Sequence, residues 1–294
     1  MFHYGLYTAV KGLAHVAQTI TSVVDYDPFA ELPISRHIIK MFTARVGIQP
    51  DSKVLDVGAG TGASALEILE YLNTNEGSGG HVTLLEPAAK LLDVARSRLP
   101  VDSVDCASGF AQDLAKMNYA EDAFDYAVWS NGIHYVEDAD EVDEVLRSIR
   151  RATKTKFAAW STFMSDAYVG RTARFAGLWV LTAYRNLGLD PKTQRAKSES
   201  LQTRSTDDWR VAFERAGFHD IKTHLETFEL GPEAYQAIAR FGDYVENAMP
   251  PIPDRPDITL GIRSQALVDA AEQVYDRLGV ETLPRNWLYM EAAP

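Results

Sequence analysis

Val54-Leu55-Asp56-Val57-Gly58-Ala59-Gly60-Thr61-Gly62-Ala63-Ser64 is the stretch from which the rest of the chain can be read. An apolar run carrying one acid gives way to glycines at every second position, and an amphipathic pattern follows. That order spells a buried strand, a tight loop and the first turn of a helix. Glycine accepts positive φ and lets a ligand approach the backbone with no Cβ in the way. In open α/β sheets, ligands bind at such loops, on the carboxyl ends of parallel strands. An ordinary glycine-rich turn is the plainer reading of the same residues.

Two acids narrow the choice. Asp56, two residues ahead of Gly58, would repel a pyrophosphate; dinucleotide loops offer phosphate only backbone N–H groups and a helix N-terminus. The third glycine of the dinucleotide fingerprint falls at Ala63, although alanine is sometimes accepted there. The next apolar run, Val82 to Leu85, ends in Glu86-Pro87. An acid at the end of the second strand is placed to take both hydroxyls of a ribose. Asp56 and Glu86 together suit a ligand with a ribose, a positive charge and no phosphates, which describes S-adenosylmethionine.

On these residues the sequence resembles the class I S-adenosylmethionine-dependent methyltransferases, in particular those acting on small molecules. Val54 to Gly62 looks like that family's first motif, and Glu86 matches its ribose-binding acid. The resemblance implies a doubly wound, Rossmann-like α/β fold with a seven-stranded sheet whose last strand is antiparallel. It implies cofactor contacts from Asp56, Gly58, Ala59, Gly60, Gly62, Glu86 and Pro87. The family's adenine turn falls at Gly109-Phe110-Ala111-Gln112, where Phe110 replaces the usual Asp or Asn. Phe110 could pack on the base while Ala111 and Gln112 read its edge. An aromatic in the entry segment often closes over the methionine end, and Tyr26 is the candidate.

Composition sets the bounds. The 294 residues are 46% hydrophobic and 24% charged, as in an ordinary globular protein. A net charge of −12 argues against nucleic acid and anionic membrane surfaces as partners. The single cysteine, Cys106, excludes an intramolecular disulfide, fits a reducing compartment, and is expected to be buried and inert. With no signal peptide and no apolar run near the ~18 residues of a membrane span, the expectation is a cytoplasmic protein.

Along the chain, Leu6, Val10, Leu13, Ala17, Ile20 and Val24 make one apolar stripe on an N-terminal helix. That stripe packs on the core, closes the cofactor cleft as a lid, or forms a homodimer surface. Pro33 opens a second helix reaching Val46. Phe124 to Asn131 reads as a buried fourth strand, bringing Ser130 and Asn131 to the edge that carries Gly58 and Glu86. His134 follows and is the candidate general base, since its ordinary pKa lies near physiological pH; a structural histidine is the plainer alternative. The acids between Glu137 and Glu144 precede a helix with Arg147, Arg150 and Arg151 towards its end. They complement the helix dipole better than they suggest a metal site, and no metal is expected.

Lys156 to Phe163 is the fifth strand. A segment from Met164 to Ser205 then intervenes, with a helix carrying Tyr168, Phe175, Trp179 and Tyr184 and a basic loop, Lys192 to Arg204. Thr206 caps the next helix, and Ile221 to Leu230 is a strand. A second insertion holds one helix through Ala234, Ile238, Phe241 and Val245, and another through Leu267 to Leu278. Trp287 to Met290 is the last strand, paired with Ile221 to Leu230.

The expected organisation is an N-terminal helical lid (1–48), a cofactor-binding core (49–163, 206–230 and 285–294) and a helical cap from the insertions (164–205 and 231–284). The cap should choose a small, flat or apolar acceptor, with Phe163, Tyr168, Trp179 and Phe241 as candidate contacts. The function read from the sequence is methyl transfer to oxygen or nitrogen of such an acceptor. Alternatives are a carbon acceptor, a non-catalytic cofactor-binding subunit engaging a partner through its cap, and an NAD-dependent oxidoreductase, which Asp56 and Ala63 disfavour.

Overall fold

The computed structural model describes residues 27–74, 80–136, 138–191 and 203–294. Seven strands form one sheet: β1 Lys53–Val57, β2 His81–Glu86, β3 Val104–Ser108, β4 Phe124–Ser130, β5 Thr153–Ser161, β6 His219–Leu230 and β7 Leu283–Ala293. Their order is β3-β2-β1-β4-β5-β7-β6. The first five are parallel, while β7 is antiparallel to both β5 and β6. This is the expected Rossmann-like sheet. The strand order reverses between β1 and β4, so the crevice for a ligand opens at their carboxyl ends.

Strand alternation builds the core on both faces of the sheet. Val54, Ala158 and Trp160 face one apolar cluster, which includes Phe42 and Leu69. Leu55, Phe157 and Ala159 face the other, with Leu146 and Phe213. The central strands are apolar along most of their length because helices cover both sides. These include α1 Pro33–Val46, α2 Ala63–Thr74, α3 Ala89–Arg98, α4 Ala139–Ala152 and α5 Arg171–Asn186. Helix α1 starts on its proline and ends at Gly47, whose φ of 69° gives the left-handed cap. The acids ahead of α4 behave as helix-start residues: the Asp138 carboxylate accepts from the Asp140 and Glu141 amides.

The later part of the chain adds α6 Thr206–Arg215, α7 Pro232–Ile238, α8 Gly242–Ala248 and α9 Leu260–Leu278. Phe175 and Trp179 of α5 pack with Tyr235 of α7 and Tyr275 of α9, in one cluster with a face of the sheet. Among the described residues, no helix is long and apolar enough to cross a membrane.

Several local expectations are corrected. Ser205, not Thr206, caps α6, through a reciprocal box with Asp208. The helix expected through Ala234 and Val245 is two, because Phe241 takes extended backbone (φ −82°, ψ 117°) just ahead of Gly242. Tyr168 precedes α5 and bridges to Arg285 instead of riding on the helix. Strand β7 starts at Leu283 and pairs with β5 as well as β6. Its buried Arg285 and Asn286 are bonded to Thr162 and Thr227, so its polar start conceals a strand. Cys106 is half-buried, on edge strand β3. The N-terminal stripe, Tyr26 and most of the basic loop lie outside the described residues.

Candidate active site

The loop between β1 and α2 depends on its glycines. Gly58, Gly60 and Gly62 all have positive φ, between 55° and 86°. A Cβ on Gly58 would come within 3.1 Å of the Trp129 indole nitrogen, and one on Gly62 within 2.9 Å of a Leu99 methyl. The loop is tied to the next strand: the Ala59 N–H donates to the Leu85 carbonyl at 3.1 Å. The Gly60 N–H donates to one oxygen of Glu86 at 3.1 Å, and the Ala88 N–H donates to the other at 3.0 Å. Burial pushes the Glu86 carboxyl up, and these two N–H groups partly offset the rise.

Asp56 lies beneath this loop, 1% exposed, with neither carboxylate oxygen in a formed hydrogen bond. Burial first, then the charge of Glu86, pushes its pKa up to about 8; the Ala65 amide lies near enough to oppose this. A buried carboxyl without partners is costly, and a ligand bringing a cation or a donor would relieve it.

An open cleft of about 1250 Å³, counted out to its mouth, lies over these residues. Of the sequence candidates, Gly58, Ala59, Gly60, Glu86, Pro87, Phe110, Ala111, Gln112, Ser130, Asn131 and Phe241 line it. Asp56 and Gly62 support the loop without lining the cleft. The Gln112 amide donates to Glu141 at 3.4 Å. Among the described residues that line it, Glu86 is the one charged side chain. A cleft with an acid, no base and an orphaned acid beneath it fits S-adenosylmethionine and opposes a pyrophosphate.

His134 stands just outside this lining. Its ring packs between Tyr135 and Phe163, each at 4.3 Å between centroids, and Nδ1 lies 3.3 Å from the Ser161 hydroxyl. Although part of the residue reaches the surface, the ring is enclosed. Desolvation, then the positive charge of Arg285, lowers its pKa to about 3. That environment works against a general base. Phe163 and Tyr168 are half-buried beside Arg285. Trp179 is not at the cleft: it is buried in the helical packing, and its indole N–H donates to the Leu267 carbonyl at 2.7 Å. Among the described residues, no group of three His, Cys, Asp or Glu side chains gathers as for a metal ion.

Sequence reasoning missed Trp129, Tyr135, Thr61 and Ser64, all of which line the cleft. Trp129 had a signal, since it stands one residue from the end of β4 with Gly132 following. A Cβ on Gly132 would collide with the Trp129 indole nitrogen.

Comparison with known proteins agrees with this geometry. Residues 54–156 match the family model of a methyltransferase domain. A rice (Oryza sativa subsp. japonica) 2-methyl-6-phytyl-1,4-hydroquinone methyltransferase is 29% identical over 193 residues, covering 65% of this chain and 47% of that protein. A sterol 24-C-methyltransferase of Gibberella zeae is 32% identical over 126 residues, covering 42% of this chain and 31% of that one. The chain thus spans less than half the length of these curated relatives. Among solved structures, the YcgJ protein of Bacillus subtilis superposes with a TM-score of 0.53 at 15% identity, covering 87% of this chain and 97% of that one.

Fold and cleft define a doubly wound α/β protein with a ligand cleft at the carboxyl ends of its central strands. The methyltransferase-domain match over residues 54–156 and the methyltransferase relatives support a class I S-adenosylmethionine-dependent methyltransferase, with S-adenosylmethionine as the cofactor.

Proposed function

We propose that this chain transfers a methyl group from S-adenosylmethionine to oxygen or nitrogen of a small, flat acceptor. The observation that carries the reading is Glu86: among the described residues the one charged side chain lining the cleft, held in place by the Gly60 and Ala88 amides. In this reading Glu86 takes the ribose hydroxyls and Asp56 balances the cofactor's ammonium. Phe110 packs on the adenine beside Ala111 and Gln112, and Ser130 and Asn131 stand at the methyl end. The described parts of 164–205, with 231–284, form the cap, and Phe241 lines the cleft.

When bound, S-adenosylmethionine supplies a methyl group already made electrophilic by its sulfonium. The chain's own work is then to align the acceptor and exclude water, which can lower a barrier by up to roughly 7–11 kcal/mol. Tyr135 and Phe241, 6.4 Å apart in an edge-on pair, offer aromatic faces at the mouth. With the His134 pKa lowered to about 3, a self-ionising phenol or an amine is a better acceptor than an alcohol. No metal is assigned a role. The hydroquinone and sterol named for the relatives support a small-molecule acceptor. The sterol enzyme's name favours a second reading, a carbon acceptor.

Calorimetric titration with S-adenosylhomocysteine and, separately, NAD tests the cofactor; incubation with methyl-labelled cofactor and a panel of phenols and amines tests the transfer. Binding of S-adenosylhomocysteine alone, and label on oxygen or nitrogen, are expected. Binding of NAD alone would sink the proposal, and label on a ring carbon would shift it to the second reading.

A further inference from the structure

Arg285 is 1% exposed, and among the described residues no carboxylate pairs with it. Its Nε donates to the Thr162 hydroxyl at 2.7 Å, and one terminal nitrogen lies 3.4 Å from both the Thr162 carbonyl and the Tyr168 hydroxyl. The remaining company is aromatic: the guanidinium carbon sits 5.5, 4.8 and 5.7 Å from the ring centres of Phe163, Tyr168 and Tyr235. Aromatic faces attract a cation but do not neutralise it, and a buried charge without a counter-ion is expensive. The Tyr235 hydroxyl, itself buried, lies close enough to feel this charge but makes no hydrogen bond of good geometry.

An aromatic tract joins this cation to the cleft. Phe241 and Tyr135 line the cleft, Tyr135 packs at a tilt on His134 and His134 on Phe163, and Phe163 lies under Arg285. The charge of Arg285 is felt at His134, midway along this tract.

We propose that Arg285, with the Tyr168 and Tyr235 hydroxyls, anchors a carboxylate on an aromatic acceptor whose methyl-accepting group lies at the other end of the tract, in the cleft. This rests on the methyl-transfer reading and names its substrate class: an aromatic acid carrying a separate phenol or amine. The anionic group cannot itself be the acceptor atom, because Arg285 is set back from the cleft lining. A carboxylate supplies the missing counter-ion, and its ring would lie against the edge of the row that Tyr135, His134 and Phe163 form.

The test uses the full chain saturated with S-adenosylhomocysteine, titrated with 4-hydroxybenzoate, 4-hydroxycinnamate and indole-3-acetate, each beside its methyl ester. At least one acid is expected to bind about 10-fold or more tightly than its ester. That preference should fall to within about 2-fold in Arg285→Met and shrink in Tyr168→Phe, with S-adenosylhomocysteine affinity unchanged. The Tyr168→Phe arm and the wild-type ratio decide the matter if Arg285→Met does not fold. Equal binding of acids and esters, or no binding of any acid, overturns the anchor while leaving the methyl-transfer reading intact. Failure of the wild type to bind S-adenosylhomocysteine overturns that reading and the anchor with it.

Discussion

The Gly60 amide and the Glu86 carboxylate are joined at 3.1 Å across two successive strand-end loops, so the glycine loop and the acid form one unit. Positive φ at Gly60 turns its N–H towards the carboxylate, and the Ala88 N–H fixes the second oxygen. Glu86 is thereby pre-oriented, with lone pairs left over for a ligand. Glu86→Gln keeps the shape but removes the charge, and Glu86→Ala removes both. Charge-assisted hydrogen bonds contribute about 1.5–3 kcal/mol, so Glu86→Ala should weaken S-adenosylhomocysteine roughly 10- to 100-fold by calorimetry. An unchanged affinity would mean that the nucleoside lies elsewhere.

Asp56 should write a pH signature on stability. Its carboxyl titrates at about 8 in the fold against 3.8 ordinarily. Between those values the folded state holds a proton that the unfolded chain has lost. Stability of the free protein therefore falls as pH rises from about 4 to 8, by at most ~1.4 kcal/mol per pH unit, and levels off above. Asp56→Asn should flatten that slope and raise the melting temperature at pH 8. If a cofactor ammonium balances Asp56, binding at pH 7 should release protons in the wild type and fewer in the variant. Titrations in two buffers of different ionisation enthalpy measure this directly.

Gly132 and Trp129 make a tighter constraint than the glycine loop itself. Any Cβ at residue 132 runs into the indole nitrogen, and Trp129 lines the cleft. Gly132→Ala must therefore push the indole into the ligand's space or distort the end of β4. Overpacking of this kind typically costs about 1–3 kcal/mol. Lower thermal stability together with weaker S-adenosylhomocysteine binding is expected; a variant that matches the wild type in both would show that the indole moves freely.

The sheet was legible because its strands obey local rules. Val54 to Gly62 and Val82 to Pro87 each combine an apolar run with a breaker, and the acids stand at the strand ends. The same rules failed where tertiary contacts override composition. Pro284, Arg285 and Asn286 fell outside the strand read from Trp287 to Met290, yet they belong to β7 because Thr162 and Thr227 satisfy the polar groups of Arg285 and Asn286. Phe241 was read from helical spacing, but its extended backbone splits the helix and lets it line the cleft. Trp179 has the same aromatic character as Phe241, and only the fold shows that its indole is spent inside the helical packing. The cation at the end of the aromatic tract had no sequence signal, since its hydrogen-bond partners Thr162 and Tyr168 lie more than a hundred residues before it in the chain.

Trp179 should matter for stability and not for cofactor binding. It stacks on Phe175 and Tyr244 and closes a hydrogen bond to α9. Truncation of a buried aromatic costs about 3–5 kcal/mol, so Trp179→Ala should lower the denaturation midpoint markedly. The fraction that remains folded should bind S-adenosylhomocysteine like the wild type. A selective loss of cofactor affinity at unchanged stability would place Trp179 in the site after all.

His134 separates positioning from proton transfer. A general base contributes about 10²–10⁴-fold to rate, and a group titrating near its working pH gives the rate profile an inflection there. With the imidazole lowered to about 3 by its enclosure and by Arg285, it stays neutral from pH 5 to 9 and is a weak base throughout. Once an acceptor is found, His134→Gln should retain turnover within about 10-fold. The wild-type kcat profile should follow the acceptor's own ionisation, with no step near 6.5. In the free protein the same lowered pKa means stability declines as pH falls from 6.5 towards 3, because the unfolded imidazole takes up a proton that the folded one refuses; His134→Gln should soften that decline. A loss beyond 100-fold, accompanied by disappearance of a wild-type inflection, would return His134 to the role of base.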